Sequence, residues 1–286
     1  MSNTAIVLIL AAAVAHASWN LFSKQAAETG AAFFMWWFAV AAAIIYAPVV
    51  AGTAVLSHPH LRAANWLFLA GTGVLHTGYF LFLQFGYRHG DLSVAYPIGR
   101  GSGALLAAIA GIVLLGERPG IVAVIGIAAI IAGVVAIGLP GASSAPKPAA
   151  IGFALTTGVF IACYTLWDKY AVAVLRTPPV FQGYAGIAML SVTFAPVVLR
   201  DRRRLGQVWR DFSRQVLGAA TLAPLAYMLI LIALSFTAVS VVAPAREISV
   251  LFGILLGRRM LGEGSTARRL AAGAAIVTGI IIIAVG

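Results

Sequence analysis

Tyr96 and Arg100 stand one helical turn apart in SVAYPIGRGSG, residues 93–103, and Glu247 occupies the matching place in APAREISVLFG, residues 243–253. Both segments are otherwise largely apolar. Full charges in such surroundings are expensive and normally face a cavity or a partner. Arg100 and Glu247 are separated by 147 residues, and each lies three residues beyond a proline, Pro97 or Pro244. Opposite charges at related positions can pair across a symmetry axis, can pair in one conformation and separate in another, or can share a substrate. In the last case Arg100 takes a carboxylate and Glu247 an ammonium. Arg246 precedes Glu247 and points about 100° away round a helix, so only one of the two can face the axis squarely.

A second group lies in GTGVLHTGYFLF, residues 71–82, where His76 and Tyr79 share a helical face with Thr72 and Phe80. Tyr164, Trp167 and Asp168 share another face, and His16, Trp19 and Asn20 repeat that spacing 148 residues earlier. His76, Tyr79, Tyr96, Arg100, Tyr164 and Trp167 would together give a cavity with aromatic walls and a few polar anchors, suited to an amphipathic small molecule. His16, Asn20, Asp168, Arg246 and Glu247 are polar positions inside the membrane, to which Pro97 and Pro244 add two weakened turns. Each proline cannot donate to a serine carbonyl four residues back, Ser93 or Ser240, which the serine hydroxyl or a water can satisfy instead. One bendable point per repeat suits two gates; a static kink is the alternative.

No cofactor or metal is expected. His58 and His60 flank a proline without nearby carboxylates or thiols, and GRGSG lies inside a span rather than after a strand, so it is no nucleotide loop. No Ser/His/Asp set, HExxH sequence or pair of aspartates appears at usable spacing, which argues against an enzyme.

The elements that must position these residues follow from composition. The chain is 62% hydrophobic and 9% charged, with a mean hydropathy of +1.00, outside the range of soluble domains. Apolar segments can be read at roughly 3–22, 31–56, 65–87, 92–115, 120–139, 149–170, 179–199, 215–236, 239–261 and 267–285, each near the length of about 20 residues that crosses a bilayer. Continuous apolar runs without two-residue alternation exclude a barrel, so an all-α membrane protein of ten transmembrane helices is expected. The first span lacks a basic leading region and carries His16 and Asn20, so it reads as a true span. Cys163 reads as a small packing residue, and Trp36, Trp37, Trp66 and Trp209 as anchors at the membrane interface.

The net charge of +11 reflects membrane sidedness rather than nucleic-acid binding. Lys24, Arg88, Lys147, Arg200, Arg202, Arg203, Arg204, Arg210, Arg214, Arg258, Arg259, Arg268 and Arg269 follow odd-numbered spans, whereas only Arg62, Arg118, Lys169 and Arg176 fall on the other side. The positive-inside bias puts the first group in the cytoplasm and both termini in the periplasm.

The halves repeat. Ser93-Val94 before Pro97 recurs as Ser240-Val241 before Pro244, and LLGE at 114–117 recurs as MLGE at residues 260–263. GLPGASSAPKPAA, residues 138–150, is the natural joint, giving repeats over 1–140 and 149–286 with a linker at 141–148. Five spans per half force the second copy to insert upside down, the inverted-repeat architecture that supports alternating access around one central cavity.

AHASWN in span 1, SVAYP with the apolar run ending in LLGERP, and APAREISVLFGILLGRRMLGE in span 9 resemble the drug/metabolite transporter superfamily, in particular its ten-span EamA-type exporters. Through His76, Tyr79 and Tyr96 the chain is most similar to the YddG-type amino-acid exporters. The resemblance implies a cavity formed chiefly by spans 3, 4, 8 and 9, with spans 5 and 10 peripheral. It also implies efflux of amino acids or related metabolites through a bacterial inner membrane. The four-span relatives use a glutamate in their first helix as the proton and cation site; span 1 here has none, which leaves facilitated transport open.

The function expected is export of small amphipathic metabolites, neutral aromatic or large apolar amino acids foremost. Efflux of cationic drugs, resting on an acidic residue such as Glu247, is the other transport reading. A membrane scaffold or flippase subunit is the reading from another class. The partners are a small-molecule substrate and the lipid bilayer, in a monomer or a homodimer.

Overall fold

The computed structural model describes residues 1–25, 31–89, 92–138, 148–249, 251–252 and 267–285. These form ten helices: α1 (Asn3–Gln25), α2 (Ala31–Ser57), α3 (Ala63–His89), α4 (Leu92–Leu114), α5 (Ile121–Gly138), α6 (Pro148–Ala173), α7 (Pro179–Val198), α8 (Arg202–Phe236), α9 (Val239–Ala245) and α10 (Ala267–Val285). No strand occurs among the described residues. Among the described residues, six helices are long and apolar enough to cross a membrane, and shorter apolar helices over Ile98–Leu114, Ile121–Ala136 and Ala271–Ile283 join them. Within hydrocarbon a helix satisfies its own backbone, which is why unbroken apolar runs adopt it.

Packing follows the inverted repeat. Exchanging α1 with α6, α2 with α7, α3 with α8, α4 with α9 and α5 with α10 turns the α1/α8 contact into α6/α3 and the α2/α8 contact into α7/α3, all of which occur. The pairs α2/α7, α4/α9 and α5/α10 map onto themselves. In α5/α10, a Cβ on Gly126 would lie 2.6 Å from the carbonyl oxygen of Gly279, and one on Gly133 2.6 Å from that of Ala272. Residue numbers rise along one helix as they fall along the other, so the equivalent helices run antiparallel, as inversion demands. These glycines are consumed by internal packing, with α5 and α10 at the periphery. The Gly99 and Gly103 pair does similar work for α4 on α6: a Cβ at Gly103 would come 2.7 Å from Ile161.

Several expectations are corrected. The span read as beginning at 215 is entered at Arg202, because RRRLGQVWRDF is an amphipathic helix rather than a loop. Asp201 caps it by accepting from the Arg204 backbone N–H at 3.0 Å, Leu205 and Val208 are buried, and Arg202, Arg203, Arg210 and Arg214 remain exposed. The helix bends into the membrane-crossing part at Phe212, whose φ and ψ are −130° and 19°. Trp37 and Trp209 hold this bend, with ring centroids 4.6 Å apart and the Trp37 indole N–H donating to the Leu205 carbonyl at 2.9 Å. Cys163 is exposed on α6 rather than packed inside. The sixth helix begins at Pro148.

Among the described residues, the ninth span is not one continuous helix. After Pro244 the chain tightens into turns of three-residue spacing, with the Glu247 N–H donating to the Pro244 carbonyl at 2.9 Å and the Ser249 N–H to the Arg246 carbonyl at 3.2 Å. The break falls just downstream of Pro244, which itself cannot donate to the Ser240 carbonyl four residues back. The MLGE repeat at residues 260–263 and the side chains of Tyr96 and Pro97 lie outside the described residues.

Candidate functional site

Two devices position the site. One is the turn after Pro244, which presents Arg246 and Glu247 in different directions. Glu247 is fully buried and faces α4, where Arg100 grips it with both arms of its guanidinium: Nε donates to Oε2 at 3.1 Å and Nη2 to Oε1 at 2.8 Å. The pair therefore closes across the axis relating the repeats. Arg246 turns instead toward a cavity.

The other device is Glu117 of the LLGE motif. Gly116 adopts a φ of 66°, open chiefly to glycine, and the Glu117 N–H returns to the Gly111 carbonyl at 3.2 Å. This reversal aims the Glu117 carboxylate at the start of α9, where Oε1 accepts from the Val239 N–H at 2.7 Å and Oε2 from the Ser240 N–H at 2.8 Å. The first turn of α9 needs such an acceptor for its unpaired donors. The Ser240 hydroxyl, expected to mend the turn broken by Pro244, has no hydrogen-bond partner among the described residues.

A cavity of about 120 Å³ lies between the repeats. α1 contributes His16 and Trp19, α2 Phe38, α3 His76, Tyr79 and Phe80, α4 Arg100, α6 Tyr164, α7 Ile187 and Leu190, α8 Pro224 and Tyr227, and the turn after α9 Arg246. Spans 3, 4, 8 and 9 contribute to it but do not chiefly form it, because α1, α2, α6 and α7 supply half of the lining, with α4 giving only Arg100. His76 is stacked on Tyr164 at 4.3 Å between ring centroids and meets Tyr227 edge-on at 5.1 Å. Its Nδ1 lies 2.9 Å from the Thr72 carbonyl and 3.1 Å from the Thr72 hydroxyl, which fixes the ring on α3. Tyr79 meets Tyr164 edge-on at 5.8 Å. His16 Nδ1 accepts from the Trp19 indole N–H at 3.1 Å, an arrangement that puts a neutral ring's proton on Nε2.

Other expected site residues are drawn into helix contacts. Trp167 does not line the cavity: its indole stacks on Phe68 at 4.1 Å and donates to the Phe68 carbonyl at 2.9 Å. Gly71 leaves the room, since a Cβ there would run into the indole. Asp168 is fully buried behind the wall, accepting from the Tyr227 hydroxyl and, at 2.7 Å, from Gln182 Nε2. Asn20 Nδ2 donates within its own helix to the His16 carbonyl at 2.8 Å. Among the described residues no cluster could hold a metal ion.

Tyr227 is the wall residue that sequence reasoning missed. The offset of 148 that links His16 to Tyr164 also takes Tyr79 to Tyr227 and His76 to Pro224, and all six line the cavity. Extending that offset into spans 3 and 8 was the available signal.

The chain belongs to the EamA-like transporter family: the sequence model of that family matches it twice, over residues 3–139 and 148–285. It is a multi-pass membrane transporter of small substrates rather than an enzyme. Among solved structures, one described only as "Crystal structure of protein" has a TM-score of 0.77 at 17% identity, over 100% of this chain and 98% of that chain. That likeness concerns the fold alone. A search of curated proteins finds no match.

Proposed function

We propose that this transporter exports small amphipathic metabolites, amino acids with aromatic or large apolar side chains foremost, from the cytoplasm across a bacterial inner membrane. Both termini face the periplasm in this reading. The observation that carries it is the composition of the cavity: aromatic and aliphatic walls from both repeats, with a few polar groups held at fixed positions. An apolar body is solvated by Phe38, Ile187 and Leu190, and a polar end by the tyrosine hydroxyls, His76 and the cationic side.

Alternating access supplies the mechanism. Pro97 and Pro244 are the bendable points, and rocking of α4 and α9 about the Arg100–Glu247 pair exposes the cavity to one side at a time. Efflux of cationic drugs is less well supported, because no carboxylate side chain appears among the described residues that line the cavity. Glu247 and Asp168 are both engaged elsewhere. A passive scaffold has no need of a cavity between the repeats.

Counterflow of labelled phenylalanine into proteoliposomes, without a pH gradient, tests the proposal. Wild type should accumulate label and His76→Ala should lose most of it while remaining folded. Absence of counterflow by wild type would reject the amino-acid reading.

A further inference from the structure

We infer that Arg246, not Arg100, is the anchor for the transported molecule, and that it recognises a carboxylate. Arg246 lines the cavity yet is only 7% exposed, and its Nε and Nη2 are buried without a hydrogen-bond partner among the described residues. Nε approaches Glu247 Oε1 at 3.5 Å, too far for a good N–H···O bond. A guanidinium stripped of water and left with open donors is strongly destabilised unless something fills them. Its planar fork is shaped for two parallel bonds to a carboxylate.

Among the described residues, the protein offers Arg246 only the long ion-pair contact with Glu247. Both oxygens of Glu247 are taken by Arg100, and those of Asp168 by Tyr227 and Gln182. The charged side chains on the described lining are Arg100 and Arg246, with His16 and His76 beside them. Glu247 neutralises Arg100, so the open donors on the lining are those of Arg246, which suit an anion. The Arg246 guanidinium also lies 5.9 Å from the centroid of the Tyr164 ring, which is itself stacked on His76. A ligand whose carboxylate meets Arg246 therefore extends its body along this aromatic row.

The ligand class is an amphipathic monocarboxylate. An α-amino acid qualifies by its carboxylate, and its ammonium is not needed for recognition. This rests on the cavity being the transport site, and the test separates the two claims. The probes are phenylalanine, 3-phenylpropanoate, which keeps the carboxylate alone, and phenethylamine, which keeps the ammonium alone. Binding is measured by titration calorimetry on the full-length protein in nanodiscs.

Wild type should bind phenylalanine and 3-phenylpropanoate comparably and phenethylamine at least about 10-fold more weakly. Arg246→Gln should weaken both carboxylates by about 10- to 100-fold, with Arg246→Lys in between. The wild-type series decides the carboxylate preference, and Arg246→Lys, which keeps the charge, tests the residue even if Arg246→Gln fails to fold. Phenethylamine binding as well as 3-phenylpropanoate, or folded Arg246→Gln binding like wild type, overturns the anchor while leaving amino-acid transport standing. Binding of 3-phenylpropanoate without phenylalanine keeps the anchor and removes the amino-acid reading. Failure of all three probes on wild type overturns both.

Discussion

Arg100 and Glu247, 147 residues apart in the chain, meet as a two-pronged buried ion pair with bonds of 3.1 and 2.8 Å. They occupy equivalent positions in the two repeats, so the bond lies across the axis about which the repeats exchange roles. Removing one partner strands the other charge: Arg100→Gln or Glu247→Gln should each cost about 3–5 kcal/mol, and the double neutral variant should recover much of that loss. Thermal melts in detergent report this directly. Single variants that melt like wild type would show that the pair is not closed in the resting protein.

Tyr227 and Asp168 form a wall and its buttress, joined by a hydroxyl-to-carboxylate bond. Tyr227→Phe should destabilise by about 1–3 kcal/mol, because a buried carboxylate loses a donor. Asp168→Asn in the Tyr227→Phe background should add less than it does alone. A double-mutant cycle measures the coupling, expected at about 0.5–3 kcal/mol; strict additivity would mean that the two groups act independently.

Trp167 separates packing from binding. Trp167→Phe leaves the Phe68 carbonyl without its indole donor and should lower stability by about 1 kcal/mol. Gly71→Ala, which drives a methyl into the indole, should cost about 1–3 kcal/mol. Neither should alter the substrate KM in proteoliposomes, since Trp167 lies off the cavity; a several-fold change in KM would return it to the binding site.

Glu117 ties the end of one repeat's helix to the start of α9. Glu117→Ala removes both acceptors from the Val239 and Ser240 N–H groups and should cost about 1–2 kcal/mol, the usual value of a lost N-terminal cap. Gly116→Ala, forced to hold a φ of 66°, should cost about 1–2 kcal/mol. Chemical denaturation of both variants checks these figures. Full stability of Glu117→Ala would mean that water replaces the cap without loss.

Much of the fold was legible in the chain because its signals are local or periodic. Apolar length announces helices, and Pro97, Pro244 and the paired LLGE and MLGE sequences announce the repeat. The exception is instructive: RDRRRLGQVWRDFSR reads as a charged loop until Trp37 supplies a surface for Leu205 and Trp209, a contact between the two repeats across 168 residues of chain. His16, His76, Tyr79, Arg100, Tyr164 and Arg246 were nameable because polar side chains are scarce in such segments, and all six reach the cavity. Trp167 and Asp168 carried the same signal and were taken by neighbouring helices, and Asn20 by a carbonyl of its own helix.

By itself, then, the sequence settles that this is an all-helical membrane protein of two inverted halves, and which few polar groups lie inside it. Those properties depend on residue type and spacing along the chain. Which arginine grips Glu247 with both arms and which keeps buried donors without a hydrogen bond is decided only in three dimensions. Hydrogen bonds reach about 3 Å, and the turn after Pro244 gives Glu247 to Arg100 and leaves Arg246 facing the cavity.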